Sequence, residues 1–268
     1  MRKLIRKIFA KFGLTVKSIQ KKSYAEWDGK LPVETRFEPF EITFLNHTLY
    51  IHDRSSFLLG YFELFKGDIY NFVAETDSPY IIDCGANMGM SIIYFKKLYP
   101  KATIVAFEAD THIYSFLKKN VASFGFTGVT ILHNAVWDNA GETLSFLSEG
   151  GAGGRVAPKE EGVTFYNVDT VRLKSYLNKR VDFLKVDIEG AEYRVIFDCA
   201  EELKNVQTLF LEYHSFFDNA QQLGEMLNIV KNAGFRYHIK EEHSSPHPFL
   251  ERKSNGGMDL QLNIFCYR

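Results

Sequence analysis

The stretch "YIIDCGANMGMSIIYFKKLYP", residues 80 to 100, decides the fold. It opens as a short apolar run, like a strand buried on both faces, and ends with apolar residues at helical spacing before Pro100. Between them is a turn with Gly85 and Gly89, entered from Asp83. Glycines at a strand-to-helix junction let the backbone come close to a ligand, and the helix N-terminus offers N–H groups that suit phosphate. A dinucleotide fingerprint would read G-x-G-x-x-G. Here the row is Gly85-Ala86-Asn87-Met88-Gly89, with Asn87 in place of the glycine that admits a diphosphate, and Asp83 adds negative charge nearby.

Outward from this turn the pattern repeats. "YIIDC" (80–84), "ATIVAFE" (102–108), "GVTILH" (128–133), "VDFLKVD" (181–187), "VQTLFLEY" (206–213), "FRYHIK" (235–240) and "LQLNIFCYR" (260–268) read as strands. Helical patterns over 91–98, 111–124, 191–203 and 218–233 separate most of them. The alternation predicts an α/β fold: a doubly wound, mainly parallel, Rossmann-like sheet of seven strands. The last two strands have no room for a crossover helix and are expected to pair as an antiparallel hairpin. The expected organisation is a main domain over 55–268 preceded by an extension over 1–54. That extension holds a basic amphipathic helix within 1–22 and a hairpin in "FEITFLNHTLYIH" (40–52) turning at Asn46-His47. His47 and His52 read as surface or strand histidines. "YFELFKGDIYNF" (61–72) reads as aromatic core packing, with Tyr70 or Glu63 as alternative neighbours of a ligand. The glycine-rich segment within 144–173, ending in Arg155, lacks the lysine and Ser/Thr of a P-loop and reads as a flexible hairpin tip.

The chain has 268 residues, 46 % hydrophobic and 24 % charged, enough for one large domain. A net charge of −1 provides no global field for nucleic acid. Cys84, Cys199 and Cys266 are odd in number and far apart, which suggests buried thiols in a reducing setting. The expected location is cytoplasmic, with peripheral attachment to an anionic membrane through residues 1–22 as one reading of that helix and ordinary packing as the other.

A ligand bearing a sulfonium, an ammonium and an adenosine, without phosphate, suits the turn better than a dinucleotide. Asp83 would favour its positive end, directly or through water. Glu108, at the end of the second strand, can accept both ribose hydroxyls; the alternative is a surface carboxylate capping the next helix. Asn134 either meets the adenine edge or is an ordinary turn residue.

Four pieces, "IIDCGANMG", "HNAVWD" (133–138), "LKVDIEGAE" (184–192) and "LEYH" (211–214), resemble the FkbM-type branch of the class I S-adenosylmethionine-dependent methyltransferases over roughly residues 55 to 268. The resemblance implies S-adenosyl-L-methionine as cofactor, held by Asp83, Gly85, Ala86, Asn87, Gly89, Glu108, Ala109, Asn134 and Ala135. It also implies O-methylation of a sugar, glycolipid or secondary metabolite. Ala109 stands where the family often has proline.

A hydroxyl nucleophile profits from a positioned base, and the strand ends offer Lys185, Asp187, Glu189, Glu212 and His214. His214 is the expected base because an unperturbed imidazole is largely neutral at pH 7. Asp187 and Glu189 are rival bases or orienters, and Lys185 has a salt bridge to Glu212 as its structural alternative. A divalent cation on Asp187, Glu189 and His214 is a further alternative in so oxygen-rich a site, but no dedicated metal spacing stands out and no metal is assigned. Two other classes compete: a nicotinamide-dependent oxidoreductase, and a non-catalytic module binding an adenosyl ligand or a membrane surface.

Overall fold

A computed structural model describes residues 27, 29–32, 36–148, 154–156, 165–250 and 257–268. The basic helix expected over 1–22 and most of the glycine-rich tip lie outside the described residues. Among the described residues, no helix is long and apolar enough to cross a membrane.

The chain enters through β1 (Phe40–Phe44) and β2 (His47–Ile51), an antiparallel pair in which Phe44 faces His47. The two-residue turn is therefore Leu45-Asn46, one position earlier than expected, and both residues have positive φ (52° and 68°), as a primed turn requires. Asp53 caps α1 (Arg54–Gly60) by accepting from the Ser56 amide at 2.9 Å. The helix then widens into a π-helical segment, Tyr61–Lys66.

The doubly wound part follows: β3 (Tyr80–Cys84), α2 (Met90–Leu98), β4 (Thr103–Phe107), α3 (Thr111–Ser123) and β5 (Val129–Leu132). An excursion comprises β6 (Ala135–Trp137), β7 (Thr143–Leu147), β8 (Arg155–Val156) and β9 (Phe165–Arg172). The chain returns with β10 (Val181–Val186), α4 (Glu192–Asp198), β11 (Val206–Phe216), α5 (Leu223–Asn232), β12 (Arg236–Ser244) and β13 (Met258–Tyr267).

The seven-stranded sheet runs β12-β13-β11-β10-β3-β4-β5. β11, β10, β3, β4 and β5 pair in parallel, and β13 is antiparallel to both its neighbours. The expected fold class and terminal hairpin are thus present, with β13 inserted between β12 and β11. Alternation sends successive side chains to opposite faces. Ile81, Phe183 and Phe210 pack with α1, α2, α3 and the β1–β2 hairpin, whereas Ile82, Leu184 and Leu209 pack with α4 and α5. The three cysteines are free and buried.

Four expected outlines shift. β11 runs on to Phe216, beyond the apolar run that marked it, so His214 lies inside a strand, opposite Gln261 of β13. α4 stops at Asp198, and a separate 3₁₀ turn covers Glu202–Asn205. α5 starts at Leu223 because the Phe217 amide is tied to the Gly257 carbonyl at 2.9 Å. The flanks of the glycine-rich segment are ordered as a second sheet, β6-β9-β7-β8, with Ala135, Phe146 and Val168 as its small core.

Asn120 of α3 joins the hairpin to the glycine turn. Its Nδ2 donates to the carbonyls of Tyr50 (2.9 Å) and Met88 (2.8 Å), and its Oδ1 accepts from the Tyr50 amide (2.7 Å). Asn120→Ala leaves these backbone groups without partners and is expected to cost roughly 3 kcal/mol, a clear fall in the urea midpoint.

Candidate functional site

Chain order reverses at β3, with β4 and β5 on one side and β10 and β11 on the other. In open α/β sheets ligands bind beyond the strand ends at this point. A cleft opens there, with about 1260 Å³ of empty space including its mouth. The 85–88 turn lines its middle, Glu108 and Asn134 one end, and Asp187, Glu189, Glu212 and Glu63 the other.

The turn is closed on itself. The Gly85 and Ala86 amides both donate to the Phe107 carbonyl, at 3.1 and 2.9 Å. The Asn87 amide donates to Glu108 Oε2 at 2.8 Å, and the Met88 amide to Asn87 Oδ1 at 2.7 Å. The Gly89 amide donates to the Ala86 carbonyl at 2.9 Å. All N–H groups from Gly85 to Gly89 are thus spent inside the protein. A diphosphate needs such donors, and this turn has none left for it. Gly85 (φ 87°) brings the backbone so close to the next loop that a Cβ there would stand 1.8 Å from the Asp187 carbonyl oxygen. Asn87 (φ 49°) is held by His52, whose Nε2 donates to its Oδ1 at 2.9 Å.

Glu108, 7 % exposed, faces the cleft from the end of β4. Its Oε2 takes the Asn87 amide and its Oε1 the Asp110 amide, both at 2.8 Å. Each oxygen keeps a second lone-pair direction. Burial pushes its carboxyl up to about 7, against the pull of the two amides. Asp110 caps α3 through the amides of His112 and Ile113 and accepts from Ser148 of the β7 end, linking the second sheet to this wall. Asn134 lines the cleft, but its Nδ2 donates to the Asp169 carbonyl at 3.0 Å.

Asp83 is fully buried beneath the turn, takes the Ser91 hydroxyl, and lies 3.4 Å from Lys185 Nζ. Lys185 also meets Asp187 at 3.0 Å and donates to the Gly85 carbonyl at 2.7 Å. Burial opposes the ammonium charge, but Asp187 and Asp83 outweigh it and hold the lysine well above its ordinary range. Lys185 is therefore a fixed cation tying β10 to β3 and the turn. The structural alternative, a salt bridge to Glu212, does not form, because the register partner of Lys185 on β11 is Phe210, two residues short.

At the far end, His214 is 5 % exposed and surrounded by carboxylates. Its Nδ1 lies 3.0 Å from Glu192 Oε1; its Nε2 lies 3.5 Å from Glu189 and 3.7 Å from Glu212. Burial pulls the imidazole down, but Glu192 and Glu189 overcome it and hold it well above its ordinary value. Glu212 is pushed up to about 8, first by burial and then by Asp187. Glu63, carried in by the π-helical segment, is pushed up to about 7 by burial and by Glu242. Asp187, Glu212 and His214 bring ligand-type atoms within 4.8 Å of one another. Within this cluster Asp187 is already engaged by the Lys185 ammonium at 3.0 Å.

The family model described as the methyltransferase FkbM domain matches residues 83–237, more than half of the chain. The chain belongs to the FkbM methyltransferase family. Among the relatives of this methyltransferase, methyltransferase sdnD of Sordaria araneosa is 28 % identical over 177 residues, 53 % of this chain and 68 % of that protein. Methyltransferase 1 of Beauveria bassiana (strain ARSEF 2860) is 28 % identical over 164 residues, 52 % of this chain and 66 % of that one. A crystal structure of the FkbM methyltransferase from Methylobacillus flagellatus KT aligns with a TM-score of 0.45 at 17 % identity, covering 72 % of this chain and 45 % of that one. The chain therefore spans less than half the length of that structure.

Of the residues singled out in the sequence, Gly85, Ala86, Asn87, Glu108, Ala109, Asn134, Ala135, Lys185, Asp187 and Glu189 line the one cleft. Three do not. Asp83 sits under the turn, where Lys185 neutralises it, so direct contact with a ligand gives way to support from below. Gly89 (φ 94°) caps α2. His214 is absent from the cleft lining, and the three carboxylates beside it, Glu192, Glu189 and Glu212, hold its imidazole well above its ordinary value, against the neutral base expected. The turn is also held by a residue that no motif marked. His52, 1 % exposed, supports Asn87, although nothing in its local spacing set it apart from a strand histidine.

Proposed function

We propose that this methyltransferase takes its methyl group from S-adenosylmethionine and delivers it to a hydroxyl of a sugar, glycolipid or secondary metabolite. The observation that carries the donor assignment is the closed glycine turn beside Glu108: it offers a diphosphate no amide, and it offers a ribose diol a carboxylate with both oxygens fixed. The chain fits an adenosyl group further along the same wall, where Ala109, Ala135, Val136 and Phe146 supply small and flat apolar surface for a purine. When bound, the sulfonium supplies an activated methyl group. The protein's own part is then to hold the acceptor oxygen in line and accept its proton, and orientation alone contributes roughly 7–11 kcal/mol in favourable cases.

The acceptor end supports a hydroxyl substrate. Glu63, Asp187, Glu189 and Glu212 line it, and the lining cation there among the described residues, Lys185, is locked against Asp187 and Asp83. Carboxylates accept hydrogen bonds from hydroxyls and repel anionic groups. The spent amides likewise weigh against the nicotinamide reading. The test is incubation with methyl-labelled S-adenosylmethionine and a panel of sugars, glycolipids and hydroxylated metabolites, followed by mass spectrometry. Label on an oxygen is expected; label recovered on nitrogen or carbon instead would overturn the hydroxyl assignment while leaving the donor in place.

A further inference from the structure

We infer that Glu212 is the group that takes the acceptor's proton, and that the His214–Glu192 pair is a positioning device that holds Glu212 and Glu189 in the cleft wall. This rests on the methyl-donor reading proposed above. The pair is built from below: Glu192, 1 % exposed, opens α4 and accepts from the Ile188 amide (3.1 Å) and the Gly190 amide (3.0 Å) as well as facing His214 Nδ1. It thereby fixes the loop that carries Glu189 (φ 54°) and Gly190 (φ 100°), a backbone path that an unsupported loop would not keep. The other ring nitrogen lies 3.5 Å from Glu189, 3.7 Å from Glu212 and 3.4 Å from Gln261 Nε2, which itself donates to Glu212, so the imidazole draws both carboxylates by charge and reaches Glu212 through Gln261.

Among the carboxylates, Glu212 has the best standing as a base. Asp187 already has the Lys185 ammonium on its Oδ2 at 3.0 Å. Glu189 hangs on the loop. Glu212 lies on a central strand, lines the cleft, and accepts from Gln261 of β13. The charged groups acting on it are Asp187, Glu63, Lys185 and His214, and their balance with burial leaves it near 8, close to the pH at which a general base works best. In the reaction the acceptor's O–H proton passes to the Glu212 carboxylate as the oxygen gains the methyl carbon. The S–CH₃ bond breaks with its electron pair on sulfur, leaving a neutral thioether, and the carboxylic acid returns its proton to water.

Glu212→Gln is expected to keep the calorimetric affinity for S-adenosylmethionine and to lower label transfer to the hydroxyl panel at least about 100-fold, and transfer within about threefold of wild type would overturn the base assignment. The charge arrangement is tested without an acceptor. In protein labelled with ¹³C at glutamate carboxyls and ¹⁵N at histidine rings, titration by NMR is expected to show Glu212 changing protonation near 8 while His214 stays protonated through that range. His214→Gln is expected to raise the Glu212 midpoint by at least about one pH unit, a tenfold gain in proton affinity. Glu192→Gln is expected to bring His214 into titration within the range. A histidine held neutral would leave the Glu212 midpoint in place. A folded His214→Gln protein with an unmoved midpoint, or a wild-type His214 titrating near 6.5, would overturn the inference. If His214→Gln does not fold, the wild-type and Glu192→Gln titrations decide it. Calorimetry with S-adenosylmethionine on the same samples reports separately on the donor: its failure would remove the methyl-donor reading whatever the titrations show.

Discussion

Glu108→Gln is expected to lower the affinity for S-adenosylmethionine by at least about 100-fold in calorimetry, because hydrogen bonds to a charged acceptor contribute roughly 1.5–3 kcal/mol each and the ribose diol would lose one acceptor and the charge on the other. Glutamine rather than alanine is the informative change, since its carbonyl can still take the Asn87 or the Asp110 amide and limit damage to the turn. The same carboxyl gives the binding a pH dependence. Burial places it at about 7, and ligand hydroxyls favour its ionised form, so the fraction ready to bind rises with pH. Affinity is expected to climb about tenfold per pH unit below 7, with proton release on binding, and to flatten above it. In Glu108→Gln that slope should vanish. Binding within about threefold of wild type, or a slope that survives the substitution, would remove Glu108 from the ribose.

Gly85→Ala is expected to be the most damaging of the Gly→Ala changes among the described residues. The added Cβ would stand 1.8 Å from the Asp187 carbonyl, a backbone atom that cannot swing aside, and the residue would have to keep a φ of 87°. Overpacking and left-handed strain together suggest roughly 3–5 kcal/mol of destabilisation. In a chain of this size that is a fall of roughly 6–20 °C in melting temperature. Any folded fraction would have the turn pushed off the 187–190 loop, separating the donor end of the cleft from the acceptor end. Gly125→Ala, at another positive φ but with open space around it, serves as the control for backbone strain alone. Equal losses in the two variants would show that close approach is not what Gly85 provides.

The sheet was legible because a parallel strand buried on both faces leaves an apolar run that turns and helices interrupt; "YIIDC" and "VDFLKV" are too short for buried helices and are bounded by turn residues. This wall of the cleft was legible for a related reason, since ligands sit at strand ends and Glu108 lies one residue past β4 and Asn87 three past β3. What stayed hidden was everything set by contacts across the sequence. The protonation of His214 depends on Glu192, 22 residues away, and on a strand that continues three residues past its apolar part. The support that His52 gives Asn87 joins the hairpin to the turn across 35 residues. Lys185 could be matched with Glu212 by counting residues, but pairing register decides which side chains meet, and register placed it against Asp83 and Asp187. The second sheet was missed because its strands flank glycines, whose turn signal outweighed the short apolar alternation of "TLSFL".

The central claim is that the closed turn and Glu108 form an adenosyl-donor site that rejects dinucleotides. Its most direct test is thermal unfolding of the wild-type protein with S-adenosylmethionine, S-adenosylhomocysteine and NAD added separately. At about 100 times the dissociation constant a ligand adds roughly 2.7 kcal/mol of stability. A raised melting temperature with both adenosyl compounds and none with NAD is the expected result. Stabilisation by NAD, or by none of the three at saturating concentration, would contradict it.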